Sequence, residues 1–380
     1  QKCSAFLNTL GGQVKYMIAK EIKLPLKMKA VLTEGIGGYD KLKYTEVETP
    51  KISKNEVLLK VLAAGINNTD INTRIGWYSS KINADTDALS KSKFQNSNQK
   101  SGLGWNGTTN FPLIQGTDCC GEVVLVGSDT VKNLIGKRVL VRPCMKLRGL
   151  GSAERVWMAS DFDGAFSEYV KVPFKEVFPV NSNWTDAELA SIPCAYGTAE
   201  NMLFRSKCGR KTKILITGAS GGVGSAAVQL AKRRGANVSI LTSSKKKNFF
   251  KEFDISYIAV GAEELISSFG ERSFDIVLDP VGGQIFPSLL KLLKKGGTYI
   301  SSGAIAGPVV NLDLRDLYLK DLKVLGATAW SDNIFPNLIG YIEKDEIKPI
   351  VAETFPLKDI VEAQKKFLKK RHLGKFILVP

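Results

Sequence analysis

The chain has 380 residues, 44% hydrophobic and 24% charged, an ordinary globular composition with room for two cored domains. No apolar run approaches the roughly 18–20 residues of a membrane span, and no apolar leader is evident, so a cytoplasmic protein with no membrane partner is expected. The net charge of +16 raises nucleic acid as a partner, yet the lysines are scattered and no nucleic-acid-binding signature accompanies them. A small-molecule substrate is the expectation instead.

Residues 1–27 carry little pattern and read as an appended extension, and Met28-Lys29-Ala30-Val31-Leu32 is the first strand. From 29 to about 175 the apolar runs, such as 57–63, 122–126 and 138–141, are short and broken by Gly, Pro and Asn. That is the pattern of a β-rich, barrel-like domain. Residues 79–110 are rich in Ser, Asn and Lys and read as an inserted loop, either a flexible excursion or a lid.

From about 193 the period changes to alternating strands and helices. Lys213-Ile214-Leu215-Ile216-Thr217 reads as a buried parallel strand. Val223, Ala227, Leu230 and Ala231 then recur at helical spacing until Arg233-Arg234-Gly235. Between them stands Ala219-Ser220-Gly221-Gly222-Val223-Gly224. A glycine turn between strand and helix aims backbone N–H groups and a helix N-terminus at one point, which is how a pyrophosphate is held. Further strands are expected at 237–241, 257–260, 274–278 and 298–302, with helices at 223–234 and 285–294. The fold class is therefore α/β, with a doubly wound parallel sheet. The expected domains are 28–190, 191–322 for dinucleotide binding, and 323–380 returning to the first domain through a helix at 334–343 and a last strand at 375–379.

The second strand of a dinucleotide fold that prefers NAD ends in an acid for the ribose 2′-hydroxyl. Here it runs into Thr242-Ser243-Ser244-Lys245-Lys246-Lys247, with no acid between Ala236 and Lys251. Ser243, Ser244 and Lys246 suit a 2′-phosphate through charge-assisted hydrogen bonds, so NADPH is the expected cofactor. The plainer reading, a helix start with a Ser cap and surface lysines, is compatible with it.

Several motifs together resemble the medium-chain dehydrogenase/reductase superfamily, and within it the zinc-independent quinone oxidoreductase and enoyl reductase branch. They are Ala64-Gly65-Ile66-Asn67-Asn68-Thr69-Asp70, Arg74-Ile75-Gly76-Trp77-Tyr78, Gly116-Thr117-Asp118-Cys119-Cys120-Gly121-Glu122-Val123, Gly136-Lys137-Arg138-Val139, the glycine turn, Phe274 to Gly283, and Gly374-Lys375-Phe376-Ile377. The resemblance covers roughly 28–380, apart from 79–110 and a second insert near 145–163. It implies a GroES-like catalytic domain split by a Rossmann domain, with the active site between them and hydride delivered from a nicotinamide. It also implies that Tyr78 hydrogen-bonds the substrate carbonyl and that Asn67 lines the same pocket. Thr198, Gly303 and Ala304 would stand near the nicotinamide. Ala219, Ser220, Gly221, Gly222, Val223 and Lys375 complete the cofactor set. Tyr78 as a loop anchor beside Trp77, and Asn67 as a turn residue, are the bland alternatives.

Zinc members of that superfamily use a Cys, a Gly-His-Glu histidine and a further Cys or Asp. This chain has one histidine, His372, and Gly116-Thr117-Asp118 stands where Gly-His-Glu would. The six cysteines show no C-x-x-C pair and read as reduced thiols, and Asp118, Cys144 and Cys194 are the one conceivable donor set. No metal is expected. Without a Lewis acid the chemistry suits substrates activated by conjugation, so the expected function is NADPH-dependent reduction of quinones or α,β-unsaturated carbonyls. The alternatives are a 2-enoyl thioester reductase, a zinc-type alcohol dehydrogenase with an atypical site, and a non-catalytic NADPH- or RNA-binding member. A homodimer paired through an edge strand near 298–305 is also expected.

Overall fold

The computed structural model describes residues 17–18, 24–92, 101–104, 107–146, 154–251, 253, 255, 257–260 and 264–380. The first domain is a β-sheet assembled from both ends of the chain. Its order is Val177–Pro179, Arg138–Val141, Cys120–Val126, Glu56–Gly65, Lys375–Val379 and Val351–Pro356, with Tyr169–Pro173 also on Glu56–Gly65. A smaller sheet of Leu42–Glu48, Lys27–Thr33 and Leu113–Ile114 packs nearby. Along Glu56–Gly65, Val57, Leu59 and Val61 enter one apolar cluster and Leu58 another, as the two-residue strand period requires. Within the expected extension, Met17–Ile18 pairs with Val126 and Leu125, and the rest of 1–23 lies outside the described residues.

The second domain is a parallel sheet in the order Tyr257–Val260, Asn237–Thr242, Lys213–Ile216, Phe274–Asp279, Leu293–Ser301 and Lys323–Gly326. Ile214 and Ile216 are buried in one cluster and Leu215 in another, so Lys213–Ile216 is covered on both faces and its unbroken apolar run follows. The helix Gly222–Arg233 buries Ala227, Leu230 and Ala231 on its core side and ends at Gly235, whose φ of 75° reverses the chain.

Three details differ from expectation. The parallel sheet continues past residue 322 to Lys323–Gly326, and the helix Ile334–Glu343 packs into the same core as Pro193–Arg205. We therefore place the return to the first domain at Val351–Pro356, which pairs with Lys375–Val379. The strand at 298–302 begins earlier, as Leu293–Ser301, and is an interior strand flanked on both sides. It cannot serve as the pairing edge, because its backbone groups already bond its neighbours. The edge beside it is Lys323–Gly326, which is largely exposed. Finally, the described part of the 79–110 insert contains the helix Thr86–Lys91 and a hairpin of Ser101–Gly104 with Gly107–Asn110. Asp85 caps the helix, accepting the Ala88 N–H at 2.7 Å. Residues 93–100 and 105–106, and 147–153 of the second insert, lie outside the described residues.

Candidate active site

A cleft of about 340 Å³ opens between the two domains, lined from both of them. Its floor on the Rossmann side is the glycine turn. Gly218 has φ of 56°, and a Cβ there would stand 2.5 Å from Val281 Cγ2. A Cβ on Gly224 would stand 2.1 Å from Gly218 O, so strand and helix approach as only glycine permits. Gly221 is the N-cap, and the first-turn N–H groups of Gly222, Val223 and Gly224 have no acceptor within the helix. Gly221, Gly222, Val223 and Ser220 line the cleft, whereas Ala219 is fully buried beneath them. This cradle fits a dinucleotide pyrophosphate.

At the end of the second strand, Ser243 is the N-cap of a 3-10 helix, Ser244–Phe250, and both serines are exposed. Lys246 turns into the cleft and donates to Ser220 Oγ at 3.0 Å, and burial lowers its pKa. Thr198, Gly303 and Ala304 line the far part of the cleft with Pro280 and Val281. Asp279 sets that wall. It is fully buried and accepts from Thr217 Oγ1 at 2.5 Å, Tyr299 OH at 2.6 Å and the Val281 N–H at 3.0 Å.

The opposite wall is built on the helix Asn68–Arg74. Tyr78 OH donates to Thr69 Oγ1 at 3.1 Å, and its ring meets Trp77 edge-on at 5.5 Å. Burial pushes the phenol up to about 12, with hydrogen bonds from Thr69 and Asn72 opposing, so Tyr78 is a proton-bearing donor throughout the physiological range. The insert braces this wall. Thr86 Oγ1 donates to Asn72 Oδ1 at 3.0 Å, and Thr86 N–H donates to Ile305 O, also at 3.0 Å, across the cleft.

Asn67 sits deeper, in a buried knot. Lys375 Nζ donates to Asn67 Oδ1 at 2.5 Å and to Ile66 O at 2.8 Å, and pairs with Asp118 Oδ2 at 2.8 Å. Asn67 Nδ2 donates to Asp118 Oδ2 at 2.9 Å, and Asp118 Oδ1 accepts the Cys194 N–H at 2.6 Å. Lys375 therefore lies behind the glycine turn, with its Cδ 2.8 Å from where a Gly222 Cβ would be, and it does not line the cleft. Beside this knot, Asp70 accepts the Asn67 N–H at 2.7 Å. Burial raises its carboxyl to about 7, against the hydrogen bond from Asn67 and the Lys375 charge.

The knot bears on metal binding. Both Asp118 oxygens are occupied, and an ammonium stands where a cation would have to approach. Burial and the Asp118 charge hold the Cys194 thiol well above its ordinary pKa, opposing the thiolate a metal needs. Cys144 is buried in an apolar cluster with Trp157 and donates to Thr328 O. Among the described residues, no three His, Cys, Asp or Glu side chains converge. The residues present do not fit a zinc ion.

Sequence reasoning missed several cleft residues: Asn68, Thr69, Asn72, Phe367, Lys370 and His372. Lys370 Nζ donates to Asn68 Oδ1 at 2.8 Å, across 302 residues of chain. His372 tilts against Phe376 and Phe367. Burial first, then the charges of Lys370, Lys246 and Lys375, push its pKa down to about 4. The run Lys369-Lys370-Arg371-His372 just before the closing strand was the available signal.

Comparison with known proteins agrees with this arrangement. The family description "Alcohol dehydrogenase GroES-like domain" matches residues 53–182, and "Zinc-binding dehydrogenase" matches residues 222–344. A crystal structure from Sinorhizobium meliloti 1021, of a protein provisionally assigned as an alcohol dehydrogenase, is 38% identical. It covers 94% of this chain and 98% of its own, with a TM-score of 0.83. An acryloyl-coenzyme A reductase of Sulfurisphaera tokodaii is 28% identical over 93% of this chain and 100% of its own length. A chloroplastic NADPH-dependent alkenal/one oxidoreductase of Arabidopsis thaliana is 27% identical over 96% of this chain and 82% of its own. With its GroES-like sheet, its parallel Rossmann sheet and the cleft between them, the chain belongs to the medium-chain dehydrogenase/reductase superfamily of NAD(P)-dependent oxidoreductases.

Proposed function

We propose that the chain is a metal-free, NADPH-dependent reductase of quinones and α,β-unsaturated carbonyl compounds. The observation that carries this reading is the Asn67–Asp118–Lys375 knot, which puts an ion pair where a Lewis acid would need ligands. A plain alcohol or ketone gains most from that acid, whereas a conjugated acceptor is already electrophilic. The relatives named for acryloyl-coenzyme A and for alkenals and alkenones support the same class.

The glycine turn and Lys246 hold the dinucleotide, which supplies the hydride. Tyr78 offers its O–H to the substrate oxygen as negative charge develops there, giving up its bond to Thr69. Asn67, with both ends of its amide already bonded, shapes the pocket floor instead of donating to substrate. Thr198, Gly303 and Ala304 wall the nicotinamide side, and Ser243 and Ser244, exposed and outside the cleft lining, are offered to the 2′-phosphate just ahead of Lys246.

A 2-enoyl thioester is the second reading, favoured by the acryloyl-coenzyme A relative and by the cationic cleft. A homodimer fits the edge strand Lys323–Gly326. Val324 is exposed there, and Leu314, Tyr318 and Leu319 of the preceding segment are each more than 60% exposed. NADPH oxidation with crotonyl-CoA, a 2-alkenal and 1,2-naphthoquinone, with and without chelator, tests the proposal. Turnover with one of these, indifferent to chelator, is expected. Turnover of a primary alcohol that chelator abolishes would overturn it.

A further inference from the structure

Lys370 is placed at a cost. It follows the helix Ile360–Leu368 with φ of 50°, in the left-handed region where glycine or asparagine normally ends a helix. A residue with a Cβ is disfavoured there. The turn sends the side chain into the cleft, where the ammonium lies 4.0 Å from the Phe367 ring centre and donates to Asn68 Oδ1. Lys246 enters the same cleft from the Rossmann side, and burial first, then the Lys246 charge, lower the Lys370 pKa to about 7. Neither ammonium has a carboxylate at salt-bridge distance among the described residues, and Asp87 acts on Lys370 only from farther away. His372 beside them is neutral. Two amines thus enter the cleft that holds the glycine turn, partnered among the described residues by an amide, a hydroxyl and an aromatic face. Such a site suits an anion.

We propose that Lys370, held by Asn68, is the first domain's phosphate ligand. It grips the pyrophosphate common to NADH and NADPH, whereas Lys246 on Ser220 selects the 2′-phosphate of NADPH. This rests on the dinucleotide reading above. Two ammonium protons remain beyond the one on Asn68, enough for two phosphate oxygens. Because Lys370 and Asn68 belong to the first domain and the glycine turn to the second, the dinucleotide is clasped from both.

Binding of NADPH and NADH to the full chain, followed by tryptophan fluorescence and calorimetry, tests the assignment for Lys370→Met, Lys370→Arg and Lys246→Met. Lys370→Met should weaken both dinucleotides by a similar factor, about tenfold or more, the usual weight of a charge-assisted hydrogen bond. Lys370→Arg should recover most of that loss. Lys246→Met should weaken NADPH by at least tenfold and leave NADH within about twofold. Unchanged binding to Lys370→Met, or a loss confined to NADPH, would overturn the pyrophosphate assignment while leaving the reductase reading intact. Failure of the wild-type chain to bind either dinucleotide would overturn both. If Lys370→Met does not fold, the Lys370→Arg chain and competition of NADH by inorganic pyrophosphate on the wild type decide. Pyrophosphate that fails to compete rejects the assignment.

Discussion

The two walls of the cleft are built by different means. The Rossmann wall is a backbone construction: a strand, four glycines and a helix N-terminus within about a dozen residues, where close approaches at Gly218 and Gly224 leave no room for a Cβ. The opposite wall is made of side chains from four distant places. Asn67 meets Asp118 and Lys375, Asn72 meets Thr86 of the insert, and Asn68 meets Lys370. A backbone site is robust to all but a few substitutions, whereas a side-chain site fails when any one contributor is removed.

That contrast orders the tests. The largest effect is expected from Lys375→Met, which strands Asp118 as a buried charge and should cost about 3–5 kcal/mol in urea unfolding. Adding Asp118→Asn should recover much of it, and a single-variant loss below about 1 kcal/mol would mean the knot does not hold the wall. Tyr78→Phe comes next, with turnover about a hundredfold lower and NADPH affinity within twofold. Unchanged turnover would remove Tyr78 from the chemistry. Gly224→Ala should destabilise by about 1–3 kcal/mol through crowding against Gly218 O and weaken both dinucleotides together. A variant that binds both normally would show that the Rossmann wall tolerates a Cβ after all.

The smallest effect belongs to His372. In the unfolded chain it titrates near 6.5, in the fold at about 4. Between those values the unfolded state holds the proton and the folded state does not. The stability contributed by the neutral ring is thus complete above about pH 6.5 and is lost as pH falls towards 4. His372→Gln should flatten the fall in Tm across that window, and an identical fall in both proteins would reject the assignment.

Legibility followed the same division. The strands 57–63, 122–126, 138–141 and 375–379 and the helix 334–343 lie on or within the observed Glu56–Gly65, Cys120–Val126, Arg138–Val141, Lys375–Val379 and Ile334–Glu343, because their patterns are local. The glycine turn was readable for the same reason. Lys370 and His372 were not: a basic run near a chain end looks like solvated surface until tertiary structure brings it against Asn68. Lys375 and Asp118 were each picked out from a motif, but their pairing across 257 residues has no local signature. The interior position of Leu293–Ser301 was equally hidden, since strand order is a property of the whole sheet.

The strand Lys375–Val379 lies between Glu56–Gly65 and Val351–Pro356, so the first domain begins near the start of the chain and closes with nearly its last residues. During synthesis all six strands of the parallel sheet emerge by Gly326, while Glu56–Gly65 still lacks a neighbour and Asp118 its countercharge. The ribosome thus delivers the nucleotide-binding domain before the domain encoded around it can close, and the reactive pocket forms after it.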